Sequence, residues 1–185
     1  MDIQQIYLGS NKVGDLLRER LELDDDVVKR LLEADDWTMM ILAWALVEAC
    51  INQSVSARLG EQSLSSFVER LNIGGRSGKA ELALGLGLLD KADRKFLDVF
   101  SEVRNRFAHG IKRFKTTFND YFDGVDDISK YEKALPIKEL PGLEGEPPTT
   151  FADNKRALIL LNVISLCLKL TNSRSNRGQT TLNLQ

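Results

Sequence analysis

Apolar side chains recur along this chain at three- and four-residue intervals, and no stretch shows the apolar–polar alternation of a half-buried strand. The clearest stripe is Phe96, Phe100, Val103 and Phe107, at spacings of four, three and four. This spacing puts the four side chains on one face of a helix, which we expect to face the core. The sequence therefore predicts an all-α protein, folded as a bundle of up-and-down antiparallel helices.

Capping residues mark the ends of the predicted helices. Acidic residues precede three of them, at Asp24, Asp35 and Asp90, and glycine follows two of them, at Gly60 and Gly110. The predicted helices are 13–23, 24–34, 37–59, 79–89, 90–108 and 152–170, with a further helix beginning at Ser63 or Ser65.

A chain of 185 residues is long enough for one domain with a sizeable core. We predict a single domain over residues 1–172, in which 1–34 form an N-terminal helical extension. Residues 136–150 hold all four prolines of the chain, which predicts a long loop. The polar segment 173–185 is predicted to be a flexible tail.

Cysteine, histidine and hydropathy patterns limit the class of protein. Cys50 and Cys167 lie in apolar segments without CxxC spacing, and are expected to be small buried side chains in a reducing compartment. With one histidine in the chain, neither a zinc site nor any other cofactor is predicted. The N-terminus does not resemble a signal peptide, and the apolar runs 39–51 and 157–170 are shorter than a membrane span. These features predict a cytoplasmic protein without membrane contact.

Charge is unevenly distributed although the whole chain carries a net charge of -2. Residues 94–115 contain seven bases and two acids, a local net of +5. Such a stretch is a candidate phosphate-binding surface, and the alternative is an ordinary solvated helix face. The Gly-rich segment 74–79 superficially looks like a phosphate-binding loop, but Ala80 stands where the magnesium-binding hydroxyl is needed, so nucleotide binding there is not expected.

The segment 102–110 reads EVRNRFAHG, with His109 five positions after Arg104. It resembles the R-x4–6-H signature of the HEPN superfamily, which consists of small helical bundles, many of them metal-independent ribonucleases. The longer stretch AELALGLGLLDKADRKFLDVFSEVRNRFAHG is similar to the mannitol operon repressor-like (MltR-like) branch, in which a short K..A..LGLL helix precedes a helix ending in RN.FAH. The resemblance covers about residues 35–110 and implies a HEPN-like helical bundle.

The resemblance gives the motif a chemical role. RNA is cut without a metal when its 2′-OH attacks the adjacent phosphate, which requires a proton carrier and a cation. Histidine ionises near neutral pH, and arginine grips phosphate oxygens while staying charged. We therefore predict that His109 moves the proton, Arg104 stabilises the extra negative charge, and Asn105 orients the imidazole or the phosphate.

Helix geometry restricts how these residues meet. Asn105 and His109 are four apart and share a face, whereas Arg104 and His109 are separated by about 140° around a regular helix. The latter two converge more easily if the helix frays at Gly110, or if two chains pair about a two-fold axis. In the superfamily such paired motifs form one composite cleft, so the resemblance implies a homodimer here.

Other side chains are assigned supporting roles. Arg106, Lys112, Arg113 and Lys115 are predicted to hold the RNA backbone. Glu48 lies in an apolar helix, where a carboxylate needs a partner, and is expected either to pair with Arg104 or to line the cleft. The aromatic residues of segment 114–131 form either a base-stacking platform or a hydrophobic lid on the bundle.

The leading prediction is an RNA-binding protein with metal-independent endoribonuclease activity, of a toxin, defence or RNA-processing type. The alternative is a non-catalytic MltR-like transcriptional regulator that acts through protein–protein contact, with an operon-encoded partner. A third reading is an inactive scaffold that only dimerises, in which His109 serves as a helix C-terminal residue. No basic recognition helix is evident, so direct DNA binding is not expected.

Overall fold

A computed structural model describes residues 11–60, 64–109, 115–136 and 154–182. Within these ranges the chain forms helices and no strand, which confirms the all-α prediction. In chain order the helices are α1 (Asn11–Leu21), α2 (Asp25–Glu33), α3 (Asp36–Leu59), α4 (Ser65–Arg70), α5 (Lys79–Gly85), α6 (Lys91–Ala108), α7 (Phe118–Asp123), α8 (Ser129–Ala134) and α9 (Lys155–Leu182).

The core is built around α3 and α9, which pack against each other more extensively than any other pair of helices. Both are apolar on most of their circumference, and residues 157–164 of α9 are all buried. Helices with no polar face are stable only when neighbours surround them. The remaining helices supply that cover: α2, α4, α5 and α6 pack on α3, while α1, α6 and α7 pack on α9.

Local capping fixes the ends of these helices where the sequence predicted them. The Asp35 side chain accepts a hydrogen bond from the Thr38 amide at the start of α3, and Gly60 ends that helix in the left-handed conformation with φ 75°. At the start of α6, Asp90 and Asp93 form a reciprocal capping box. The predicted stripe of α6 is buried, since Phe96, Phe100, Val103 and Phe107 are each at most 3% exposed.

Two helix ends differ from prediction by four residues or more. Helix α5 ends at Gly85 instead of Leu89, because Gly87 turns the chain at φ 70° and the Leu88 amide bonds back to the Ala83 carbonyl at 2.9 Å. Helix α9 continues to Leu182 instead of ending at Leu170, since the polar segment that follows contains no proline to interrupt it. The predicted loop, apart from Pro136, lies outside the described residues.

The aromatic segment after α6 forms a lid on the bundle. Phe118, Phe122 and Tyr131 are 1–3% exposed, and the Phe118 ring lies 5.1 Å from that of Phe107. Rings buried in this way cannot stack on bases, so the hydrophobic-lid interpretation is correct for these three and the stacking platform is wrong. Phe114 lies outside the described residues.

Helix length bears on the membrane prediction. Helix α3 and the first 19 residues of α9 each reach a mean hydropathy of 1.3 over a window long enough to cross a bilayer. The apolar helices are thus longer than the apolar runs suggested, because their flanking polar residues are also helical. The structure buries 44% of the α3 window and 67% of the α9 window, and core helices of a bundle satisfy the same length and composition test.

Candidate functional site

The last turn of α6 carries the predicted motif. Phe107 is fully buried, and its carbonyl accepts a hydrogen bond of 3.0 Å from Trp37 Nε1 at the start of α3. The helix ends at His109, whose backbone is extended and whose amide donates to the Asn105 carbonyl at 3.1 Å. Asn105 and His109 are exposed, so the core-facing side of the turn is anchored while its outer side faces solvent.

Arg104 is held by an aromatic ring and an amide. Its guanidinium lies over the Trp44 ring at 5.3 Å from the ring centre, and Nη1 donates to Asn105 Oδ1 at 3.1 Å. No carboxylate among the described residues pairs with it, and its buried Nε has no hydrogen-bond partner there. The cation is therefore fixed in position but not neutralised.

A cavity of about 380 Å³ opens beside this guanidinium, between α3, α6 and the loop that precedes α5. We refer to it as the Arg104 cavity. It is lined by Trp44, Glu48, Asn72, Ile73, Gly74, Ser101, Arg104 and Asn105.

Glu48 lines this cavity but does not pair with Arg104. Its Oε1 accepts from Lys79 Nζ at 2.7 Å, and the Lys79 side chain is completely buried while that of Glu48 is 37% exposed. The predicted salt bridge to Arg104 is therefore wrong, since a buried ammonium requires the carboxylate more strongly than a partly exposed guanidinium does. The alternative, that Glu48 lines the RNA-binding cleft, stays a prediction, and within one chain Glu48 lines the Arg104 cavity.

The loop wall of the Arg104 cavity is locked to the start of α5. The Lys79 amide donates to the Asn72 carbonyl at 2.8 Å, and the Ala80 amide donates to the Ile73 carbonyl at 3.1 Å. A Cβ at Gly78 would lie 2.2 Å from the Gly74 carbonyl oxygen, so only glycine allows this close approach. The sequence predicted a loop here but not its packing.

A second and larger opening, of about 940 Å³, lies on the other side of the same turn, between α6, α7 and α8. We refer to it as the His109 groove. Its lining includes four carboxylates, Glu102, Asp120, Asp126 and Asp127, against the two permanent cations Arg106 and Lys130. Among the described residues of this lining, acidic side chains therefore outnumber permanent cations.

One of these carboxylates, Glu102, belongs to a hydrogen-bonded network that compensates part of the negative charge. Glu102 accepts from Lys130 Nζ at 2.8 Å and from the Tyr131 hydroxyl at 2.7 Å, and the Tyr131 and Tyr121 hydroxyls are 2.8 Å apart. Burial alone would raise the pKa of Glu102, but the bonds from Lys130 and Tyr131 outweigh it and lower that pKa. Burial raises the pKa of Tyr131 to about 12, and the bond to Glu102 adds to this increase against an opposing bond from Tyr121.

The structure separates the predicted catalytic residues in the way the helix geometry indicated. Arg104 faces the Arg104 cavity and His109 faces the His109 groove, while Asn105 lines both. Neither of these two openings is lined by both Arg104 and His109. The imidazole of His109 makes no hydrogen bond to a described residue.

Of the four predicted RNA-binding residues, the structure describes two, Arg106 and Lys115. Arg106 lines the His109 groove, Lys115 is exposed, and Lys112 and Arg113 lie outside the described residues. Earlier in the basic stretch, Arg94 pairs with Asp98 and, at 3.5 Å, with Glu81. Intramolecular pairing therefore cancels part of the positive charge that the sequence suggested.

Three residues of the site were missed by sequence reasoning, namely Lys79, Lys130 and Tyr131. Each contacts a residue about 30 positions away along the chain. Patterns among neighbouring residues do not predict such contacts. Within the described ranges, no group of three or more His, Cys, Asp or Glu side chains is arranged to hold a metal ion. No family model, curated protein or solved structure matches this chain.

Proposed function

We propose that this chain is an RNA-binding protein of the HEPN type and a metal-independent endoribonuclease. In this proposal two copies form the site, with Arg104 of one copy acting beside Asn105 and His109 of the other. The observation that carries the proposal is the arrangement of the last turn of α6. Arg104, which pairs with no carboxylate among the described residues, lines the Arg104 cavity and donates to Asn105. The exposed His109 lines the His109 groove, and Asn105 lines both openings.

The reaction needs only these groups. The 2′-OH of a ribose attacks the adjacent phosphorus, and the imidazole of His109 accepts the hydroxyl proton. The bond from phosphorus to the 5′-oxygen then breaks, that oxygen takes a proton from water, and the imidazolium of His109 returns its proton to the solvent. The products are a 2′,3′-cyclic phosphate and a 5′-hydroxyl. Arg104 stabilises the negative charge that accumulates on the phosphate oxygens during the attack.

A two-fold axis parallel to α6 would bring Arg104 of one copy close to His109 of the other. Rotation about such an axis brings the Arg104 side of one copy opposite the His109 side of the other, and Asn105 lies between the two sides. Arg106, Lys112, Arg113 and Lys115 would then hold the RNA backbone on either side of the pair. The homodimer is part of the proposal.

RNA cleavage in EDTA tests this function. Wild type, Arg104→Ala and His109→Ala are incubated with single-stranded and structured RNA across pH 6–8, and the product ends are identified. We expect wild type to leave 2′,3′-cyclic phosphate ends and both variants to lose at least a hundredfold in rate, the usual effect of removing a proton carrier or a charge stabiliser. Glu19→Gln, which changes an exposed carboxylate of α1 that lines neither opening, serves as the control.

One observation favours a second function, a non-catalytic regulator that binds an operon-encoded protein. The His109 groove carries four carboxylates against two permanent cations, which disfavours a polyanion and suits a basic protein surface. Salt titration separates the two functions, because RNA affinity falls steeply with salt concentration whereas most protein contacts depend on it weakly. Inert wild-type protein that folds and dimerises, together with a salt-insensitive partner, would favour the regulator.

A further inference from the structure

Among the described residues, Glu48 is the one carboxylate that lines the Arg104 cavity. Its Oε1 is occupied by Lys79 Nζ at 2.7 Å, whereas its Oε2 makes no hydrogen bond to a described residue. The side chain lines the cavity and is 37% exposed, so a ligand there can reach the carboxylate that Lys79 holds in place. A carboxylate with spare acceptor capacity in a cavity is suited to a ligand that presents N–H donors.

The position of this carboxylate is set before any ligand arrives. The Lys79 side chain that holds it is completely buried, and the backbone of Lys79 is tied to Asn72. Asn72 itself lines the cavity, so the carboxylate and the loop wall are parts of one rigid arrangement. Preorganised acceptors discriminate between ligands more sharply than mobile ones, because binding then requires little ordering.

The chemistry of RNA bases selects one occupant. Guanine offers two adjacent N–H donors on its Watson–Crick edge, N1–H and N2–H, which match the two oxygens of a carboxylate. Oε1 can accept one of them beside the bond from Lys79, because each carboxylate oxygen has two lone pairs. Adenine and cytosine each offer one donor beside an acceptor nitrogen that a carboxylate repels, and uracil offers one donor between two carbonyl oxygens. We propose that the Arg104 cavity binds a guanine base of single-stranded RNA, with Glu48 as the residue that determines specificity.

This inference rests on the proposed function only for its consequence in cleavage. The Arg104 guanidinium borders the same cavity, so a guanine held by Glu48 brings the phosphate of its own nucleotide towards that cation. Cleavage would then follow guanosine residues. Recognition of an unpaired base by its Watson–Crick edge is the usual way in which proteins read RNA sequence.

Calorimetric titration tests the inference without any cleavage. Wild type is titrated with the 3′-monophosphates of guanosine, inosine, adenosine and uridine, and with guanosine 5′-triphosphate. We expect guanosine 3′-monophosphate to bind most tightly and inosine 3′-monophosphate, which lacks the N2 donor, to bind roughly tenfold or more weakly, the effect of one hydrogen bond to a charged group. Adenosine and uridine should bind more weakly again.

Three variants locate the site. Glu48→Gln keeps an acceptor for Lys79 but removes the carboxylate, and should abolish the preference for guanosine over adenosine. Ser101→Leu fills the cavity from α6 without altering any charge, so it remains informative if Glu48→Gln does not fold. Binding of guanosine 3′-monophosphate should fall at least tenfold in this variant, because the base no longer fits. Asp126→Asn changes a carboxylate of the other groove and should leave the preference intact.

Several results would overturn the inference: equal affinity for all four bases, no binding of any nucleotide, or a guanosine preference that survives in Ser101→Leu. Tighter binding of the 5′-triphosphate than of the 3′-monophosphate would assign the cavity to a free nucleotide instead. Cavity-dependent guanosine binding without RNA cleavage would defeat only the proposed ribonuclease function. Cleavage after every base, with no preference in the titration, would defeat only the guanine inference.

Discussion

The Arg104 cavity and the His109 groove lie on opposite sides of one helical turn, yet they are built differently. The cavity is enclosed by the core helix α3 and by a loop locked through Gly78, and a completely buried lysine stands behind its carboxylate. The groove is walled by the short helices α7 and α8 and carries four carboxylates in its lining. The first is rigid and holds an uncompensated cation, and the second is open and acidic.

This difference shows that a sequence motif of eight or nine residues does not by itself make a site. Arg104 and His109 are close in sequence, but each takes its electrostatic surroundings from helices far away in the chain. In our proposals the cavity binds a phosphate and a base, while the groove leaves the histidine exposed to solvent. The predictions below test whether the two are halves of one site.

The largest expected effect is complementation between two inactive variants. If Arg104 of one copy works with His109 of the other, a dimer of one Arg104→Ala chain and one His109→Ala chain contains one intact composite site. Equal mixing with subunit exchange should restore about a quarter of wild-type ribonuclease activity, since half of the dimers are mixed and each has one of two sites. Activity that stays at the level of the separate variants would mean that each site is built within one chain.

The next largest effect is expected on stability, when the ion pair between Glu48 and Lys79 is broken. Glu48→Met leaves the ammonium of Lys79 buried without a partner, which should lower the free energy of unfolding by about 3 kcal/mol. The double variant Glu48→Met/Lys79→Met should recover most of that loss, because no buried charge remains. Denaturant unfolding of the two variants measures this. Equal destabilisation would show that the pair matters for packing and not for charge.

A smaller effect is expected in the wall of the His109 groove. Tyr131→Phe removes the hydroxyl that bonds to Glu102 and Tyr121, and should lower the free energy of unfolding by about 1.5 kcal/mol. The folded pKa of Tyr131 is raised from 10.0 to about 12, so the folded protein keeps this proton at a pH where the unfolded chain loses it. Its contribution to stability is complete below pH 10 and is lost as the pH rises towards 12.

Unfolding measured from pH 8 to 12 checks this pH dependence. The wild-type free energy of unfolding should fall between pH 10 and 12, and the fall should be shallower in Tyr131→Phe. Identical slopes in the two proteins would contradict the assignment of the alkaline effect to this hydroxyl.

The smallest effect concerns the turn that the cavity and the groove share. Trp37→Phe removes the bond from Nε1 to the Phe107 carbonyl and should cost about 1 kcal/mol of stability. Amide hydrogen exchange at residues 105–109 should quicken, because the last turn of α6 loses its anchor to α3. Trp44→Phe alters the ring beneath Arg104 but no hydrogen bond of this turn, so exchange there should stay near the wild-type rate.

Much of the fold could be predicted because it depends on local signals. The stripe of α6 and the caps at Asp35, Gly60 and Asp90 are readable from neighbouring residues, and all were found in place. The angular separation of Arg104 and His109 followed from helix geometry alone. These features are set by interactions within one or two helical turns.

The rest depends on contacts between distant segments. Lys79 follows a glycine-rich loop, a position typical of exposed lysines, yet α3 covers it and supplies Glu48. The acidity of the His109 groove arises because Asp126 and Asp127 approach α6 from beyond the motif. The net charge summed over residues 94–115 did not predict these carboxylates, because such a sum counts residues that are neighbours along the chain and not residues that are neighbours in space.

The position of the two tryptophans has a practical consequence. Trp37 and Trp44 are the only tryptophans of the chain, and both contact the last turn of α6, one through its indole N–H and one through its ring face. Intrinsic fluorescence of the unlabelled protein therefore originates beside the motif. Emission changes on adding RNA, nucleotide or a second protein would report on that turn directly, and single Trp→Phe variants would tell the two signals apart.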